Sequence, residues 1–123
     1  MAGRDRGQST VEFALVLPFV LLILLGLLQA GVVLRDQLVL AAAAREGARE
    51  AAVTADRARI VAAAQRAAPG LDLTVLVSRG ADRGGPAVVG VSASPTALPL
   101  VGAVVAGRRL EASATMRVER GGP

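Results

Sequence analysis

The residues with the clearest chemical potential form one short run, Gly7-Gln8-Ser9-Thr10-Val11-Glu12-Phe13, near the start of this 123-residue chain. Arg4 and Arg6 make the segment before Gly7 basic. After Glu12 the next charge is Arg35, so a single carboxylate stands at the mouth of an uncharged run of 22 residues. A leader this short and basic, ending in a small residue, can be removed by hydrolysis of the Gly7–Gln8 peptide bond at a membrane face. The apolar segment survives the cut, Gln8 becomes the new N-terminus, and Glu12 takes the fifth mature position. If that segment then packs into an apolar bundle, an unpaired carboxylate is costly. The freed amine of a neighbouring subunit is a suitable partner, and such pairing sets the axial register between subunits.

Two plainer readings compete for the same residues. Ser9-Thr10-Val11-Glu12 fits a capping box, in which Ser9 caps a helix and Glu12 only complements its first turn. A conventional secretory signal is the other, but its apolar region runs about 7–15 residues and leads directly to a small-residue cleavage site. Here the run is longer, and Arg35-Asp36 separates it from Ala41–Ala44.

The element that must position this motif is the run itself, Phe13 to Leu34. As a helix it is about 33 Å long at roughly 1.5 Å per residue, which matches a hydrocarbon core of about 30 Å. Sixteen of its residues are Leu, Ile, Val or Phe. At roughly −0.3 to −0.6 kcal/mol each near the centre, they favour insertion by several kcal/mol, more than a carboxylate at the edge opposes. Pro18 is expected to bend the helix, which neighbours in a membrane tolerate. Gly26, Ala30 and Gly31 are candidates for close helix–helix packing. Gln29 either hydrogen-bonds across helices or sits at the headgroups.

Composition narrows the function classes. The chain is 53% hydrophobic with 2% aromatics, and carries a net charge of +4 from 14 arginines against 10 acids. The arginines are scattered and mostly stand beside acids, as in Arg35-Asp36, Arg45-Glu46 and Arg49-Glu50. Neither a basic stripe nor stacking aromatics are present, so nucleic acid is not expected as a partner. Cysteine and histidine are absent, which removes thiol chemistry and the commonest general base and metal ligand. With no nucleophile–base pair, metal cluster or phosphate loop, neither an enzyme nor a cofactor is expected.

Five segments follow: a leader over 1–7, the motif and transmembrane helix over 8–34, a helical stem over 35–69, a small β-domain over 70–120, and a tail over 121–123. The stem is rich in Ala, Leu, Arg and Glu. Within it Thr54 is the expected N-cap of a second helical stretch, Ala55–Ala68, stopped by Pro69-Gly70. Beyond Gly70 the period changes to two. Leu71-Leu73-Val75-Val77, Val89-Val91-Ala93 and Leu110-Ala112-Ala114-Met116-Val118 predict three half-buried antiparallel strands, with Gly80–Pro86 linking the first two. The apolar stretch Ala97–Ala106 is too short to span and is expected as a loop over the sheet. So small a domain requires packing against its own helix or a partner. The fold class expected is thus α+β and membrane-anchored: a long N-terminal helix, then a small antiparallel sheet.

The start at Gly7–Phe13, the Ala-Ala-Arg-Glu-Gly-Ala-Arg-Glu stretch at 43–50 and the ending Ala112–Glu119 resemble the TadE family of the tight-adherence (Flp-type) pilus system, over nearly the whole chain. The resemblance implies a minor pilin or pseudopilin that takes part in pilus assembly or secretion. Its implied partners are a prepilin peptidase, other pilins and pseudopilins, a membrane assembly platform and the lipid bilayer. Gly7 corresponds to the leader glycine, with Gln8 after the cut, Glu12 to the motif glutamate, and Phe13 to a position usually held by tyrosine. The phenol is missing there. An N-terminus in the cytoplasm and an extracytoplasmic head follow from the leader and the resemblance. The arginine count does not select it, because Arg4 and Arg6 face Arg35, Arg45 and Arg49 across the span. The alternative from another class is an unprocessed single-pass membrane protein whose outer domain scaffolds an envelope complex or binds a ligand.

Overall fold

The computed structural model describes residues 2–80 and 84–119, with side chains from Arg6 onwards. Met1 of the leader, residues 81–83 of the expected inter-strand link and the tail over 121–123 lie outside the described residues. One helix, α1, runs from Ala2 to Val53, and a second, α2, from Arg57 to Ala67. Three strands follow: β1 Thr74–Arg79, β2 Pro86–Ala93 and β3 Leu110–Arg117. They form one antiparallel sheet in the order β1-β2-β3. The expected α+β architecture is therefore present, with one helix among the described residues long and apolar enough to cross a membrane.

The capping-box reading of Ser9 fails, because α1 begins before Gly7 and passes through Ser9 without interruption. It also continues through Pro18. The second helix is capped by Asp56 rather than Thr54. The Asp56 carboxylate accepts the Ala58 N–H at 3.0 Å, while the Thr54 hydroxyl accepts the Asp56 N–H at 3.1 Å. Two cap-forming side chains thus act in series, and the one nearer the helix takes the cap. The first strand pairs from Thr74 rather than Leu71, and Thr74 faces Ser92 while Arg79 faces Ala87. In the second ladder Pro86 faces Arg117 and Ala93 faces Leu110.

The helices cover one face of this sheet. Val75, Ala87, Val89, Val91 and Ala93 point inward and are buried, while Leu76 on the opposite face is exposed. From α1 the core receives Leu40, Ala43, Ala44, Ala48 and Ala51, and α2 adds Ile60 and Ala64. These α1 residues recur at helical spacing and are mostly alanine, so the backbone approaches the sheet closely. The segment expected as a stem is thus the central core element of the head. Small side chains bury little area each, and the close approach recovers contact that large residues supply elsewhere.

Gly47 lies at a point of close approach between α1, α2 and β2. A Cβ there would meet Val89 Cγ1 at 2.9 Å and Ala64 Cβ at 3.4 Å, and Val89 is fully buried on a stiff β-branched rotamer. Gly47→Leu is expected to destabilise the head by about 1–3 kcal/mol or more, since overpacking outweighs the gain in helix propensity. A thermal melt that is unchanged by the substitution contradicts this packing.

Candidate functional site on the N-terminal helix

The lower part of α1 stands clear of the head. From Val11 to Leu24 its large apolar side chains are exposed all round the helix, with Phe13 and Phe19 each 67% accessible. An amphipathic helix would hide one stripe. A helix apolar on every side belongs in a membrane or inside a bundle. The next charge after Glu12 is Arg35 at the upper end, so nothing interrupts this surface.

Gly7, Gln8, Glu12 and Phe13 lie together on the first turns, all exposed. Around Gly7 a Cβ would meet open space, so its smallness answers no packing demand within the chain. The Gln8 amide reaches Glu12 Oε1 at 3.4 Å, one helical turn away. Thr10 Oγ1 donates to the Arg6 carbonyl at 2.8 Å. Glu12 therefore has a long, solvent-exposed contact in the single chain.

Higher up, the three candidate packing residues part company. Gly26 and Ala30 line a shallow depression whose opposite wall is Val104 and Val105 from the loop between β2 and β3. Gly31 does not line it, and a Cβ at either Gly26 or Gly31 would meet nothing within 4 Å. Gln29 bonds to a loop rather than to another helix. It is 5% exposed; its amide donates to the Thr96 carbonyl at 2.8 Å and accepts the Leu98 N–H at 2.7 Å.

Two further polar residues of α1 complete this attachment, and sequence reasoning missed both. Asp36 is fully buried, and its Oδ2 accepts the Thr96 N–H at 2.8 Å. Its Oδ1 has no hydrogen bond and faces only the Arg35 guanidinium at 3.6 Å. Gln37 donates to the Glu111 carbonyl at 2.9 Å, at the start of β3. Gln29, Asp36 and Gln37 recur seven and eight residues apart, one face of a helix. Together they fasten the lower rim of the head. The stretch Ala97–Ala106, expected to cover the sheet, instead descends along α1 beyond the sheet's end.

Gln29→Ala should release this rim. The substitution removes the partner of the Thr96 C=O and the Leu98 N–H, both in part-buried bonds, at about 0.5–1.5 kcal/mol for each bond lost. Faster amide exchange at Leu98, with the β2–β3 ladder still protected, is the expected result. Unchanged exchange at Leu98 would show that the loop is held by other contacts.

The family model described as TadE-like protein matches residues 7–49. That span takes in the N-terminal motif, the apolar run and most of the 43–50 segment, and stops short of the 112–119 segment. The match covers less than half of the chain and relates that part to TadE-like proteins. No curated protein and no solved structure matches the chain. Among the described residues, no group of three or more His, Cys, Asp or Glu stands ready for a metal ion.

Proposed function

We propose, from the match of residues 7–49 to the TadE-like family, that this chain acts as a minor pilin or pseudopilin of the tight-adherence type. A prepilin peptidase cuts after Gly7, the N-terminus faces the cytoplasm, and the head lies outside the membrane. The observation that carries this reading is the helix below the head: exposed and apolar on every side, with one carboxylate, Glu12, at its foot. Such a surface suits storage in a bilayer and later packing against other pilins or the assembly platform. After cleavage the Gln8 amine of one subunit and Glu12 of the next supply the polar pair that an apolar bundle needs.

One observation favours the unprocessed alternative. The Gly7 carbonyl lies in an unbroken helix, where it accepts the N–H of the residue four places on. Hydrolysis of the Gly7–Gln8 bond therefore requires the first turns to unwind. Helix ends fray readily, and glycine in a helix is about 1 kcal/mol less favourable than alanine, so Gly7 lowers the cost of unwinding. Protease accessibility in spheroplasts tests the arrangement. The pilin reading expects the head, residues 70–119, to be cut from outside; a head protected until the membrane is opened contradicts it.

A further inference from the structure

We propose that the loop Ala97–Ala106 is a second membrane contact, lying in the bilayer interface beside the Leu34 end of α1 and placing Leu100 and Val104 among acyl chains. This rests on the reading of α1 as a membrane span.

Counting from Phe13, a hydrocarbon core of about 30 Å is spanned in about 20 residues and ends near Val33. The loop meets α1 at Gln29 through Thr96 and Leu98, and its Val104 and Val105 line a depression that runs along α1 from Gly26 to Gln37. Gly26 lies about 10 Å along the helix below Val33. The loop therefore straddles the edge of the hydrocarbon, where the exposed Leu27, Leu28 and Leu34 of α1 continue its apolar surface.

Composition and backbone pairing fit that depth. Residues 97–106 contain no polar or charged side chain. Irregular backbone survives at membrane depth only where its polar groups are satisfied within the protein. Here the Leu98 N–H goes to Gln29, Val101 to Pro99, Gly102 to Leu98, Val104 to Val101, Val105 to Gly102 and Ala106 to Ala103, while the N–H groups of Ala97, Leu100 and Ala103 are left for the hydrated side of the interface. Pro99 has no N–H to satisfy. Gln29, the one polar side chain of the run Phe13–Leu34, uses both its donor and its acceptor on this loop.

Leu100 supplies the most specific observation. Its φ is +68°, in the left-handed region that favours glycine, and it is the one non-glycine among the described residues with positive φ. Its side chain is 84% exposed, and that of Val104 73%. A leucine held in a glycine conformation and aimed away from the protein is a strained apolar exposure, the kind of outlier that points to a contact outside the chain. At the loop's upper edge, exposed Arg35 and Arg108 stand where headgroups would lie, the arrangement expected of an interfacial anchor.

The chain has no cysteine, so single labels can be placed cleanly. Leu100→Cys, Val104→Cys, Ile23→Cys in the span and Leu76→Cys on the outer sheet face are each labelled with an environment-sensitive fluorophore. The full chain is reconstituted in phosphatidylcholine–phosphatidylglycerol vesicles carrying lipids spin-labelled at shallow or deep acyl positions. Labels at Leu100 and Val104 should be quenched by the shallow quencher, the Ile23 label by the deep one, and the Leu76 label by neither. Quenching at Ile23 with Leu100 and Val104 behaving like Leu76 overturns the proposal while leaving the span intact. Labels at Leu100 and Val104 that are shielded from water yet untouched by quenching lipid place another protein copy there and overturn it equally. Absence of quenching at Ile23 removes the span reading, and this proposal with it.

Discussion

Gly7→Arg leaves the leader attached. Expressed with a cognate prepilin peptidase, the variant is expected to accumulate at full length while the parent chain loses its first seven residues. The physical ground is twofold. Nothing in the chain itself surrounds Gly7, so a large side chain there leaves the fold and the apolar helix undisturbed. A peptidase site that accepts a bare backbone at the cut has no room for a guanidinium stem, and arginine also steadies the helix that must open, by up to about 1 kcal/mol relative to glycine. Loss of processing with normal membrane insertion and a normal melting profile of the head is the expected pair of results. Efficient cleavage of Gly7→Arg would assign the glycine no part in processing.

Glu12→Ala should separate insertion from assembly. At the edge of the span, removing a carboxylate slightly favours transfer into the membrane, so membrane-bound protein is expected at the parent level or above. In an assembled apolar bundle the same change strands the partner amine. Breaking a buried pair by removing one member costs roughly 3–5 kcal/mol, and each 1.4 kcal/mol is about tenfold in an association constant. Assembly should therefore fall by more than about tenfold while insertion holds. Equal assembly by parent and variant would remove the register role and leave Glu12 to its local contact with the Gln8 amide at 3.4 Å.

These two results bear on residues whose surroundings in the single chain are solvent. Gln29 and Asp36 show the opposite case and also mark where sequence reading ran out. The strands were legible because Val75, Val89 and Val91 alternate with exposed or half-buried neighbours, and a period of two admits one buried face. The long helix was legible from its unbroken apolar run. Gln29 was not, because a lone polar residue in such a run has several outlets, and its actual partners stand 67 and 69 residues away. Asp36 reads locally as half of a solvated Arg35-Asp36 pair, yet its side chain is 1% accessible while that of Arg35 is 72%. Local charge spacing says nothing of a backbone N–H arriving from Thr96. Ala97–Ala106 reads as a loop over the sheet, yet it carries a 3-10 turn at Gly102–Val104 and lies against α1, since an apolar segment of that length covers whatever apolar surface the topology brings to it.

The depth of the stem segment in the head is hidden in sequence for a related reason. Ala43, Ala44, Ala48 and Ala51 signal helix propensity in sequence and carry no hint of depth, because alanine is as common on surfaces as in close-packed interiors. Their spacing of three and four, with Gly47 among them, was the available sign that one face meets another backbone closely. The motif residues remain the part where sequence speaks more directly than the fold. Gly7, Gln8, Glu12 and Phe13 make almost no contacts, so their meaning lies in what the chain meets afterwards.

The central claim is that the segment before Gln8 is a leader and the exposed helix after it is built to be released for packing. Intact-mass and N-terminal peptide analysis of the chain, recovered from membranes containing its cognate peptidase, tests this most directly. The account predicts Gln8 as the first residue, free or cyclised to pyroglutamate. A chain that retains Met1 to Gly7 under those conditions contradicts it and returns the molecule to the class of unprocessed single-pass membrane proteins.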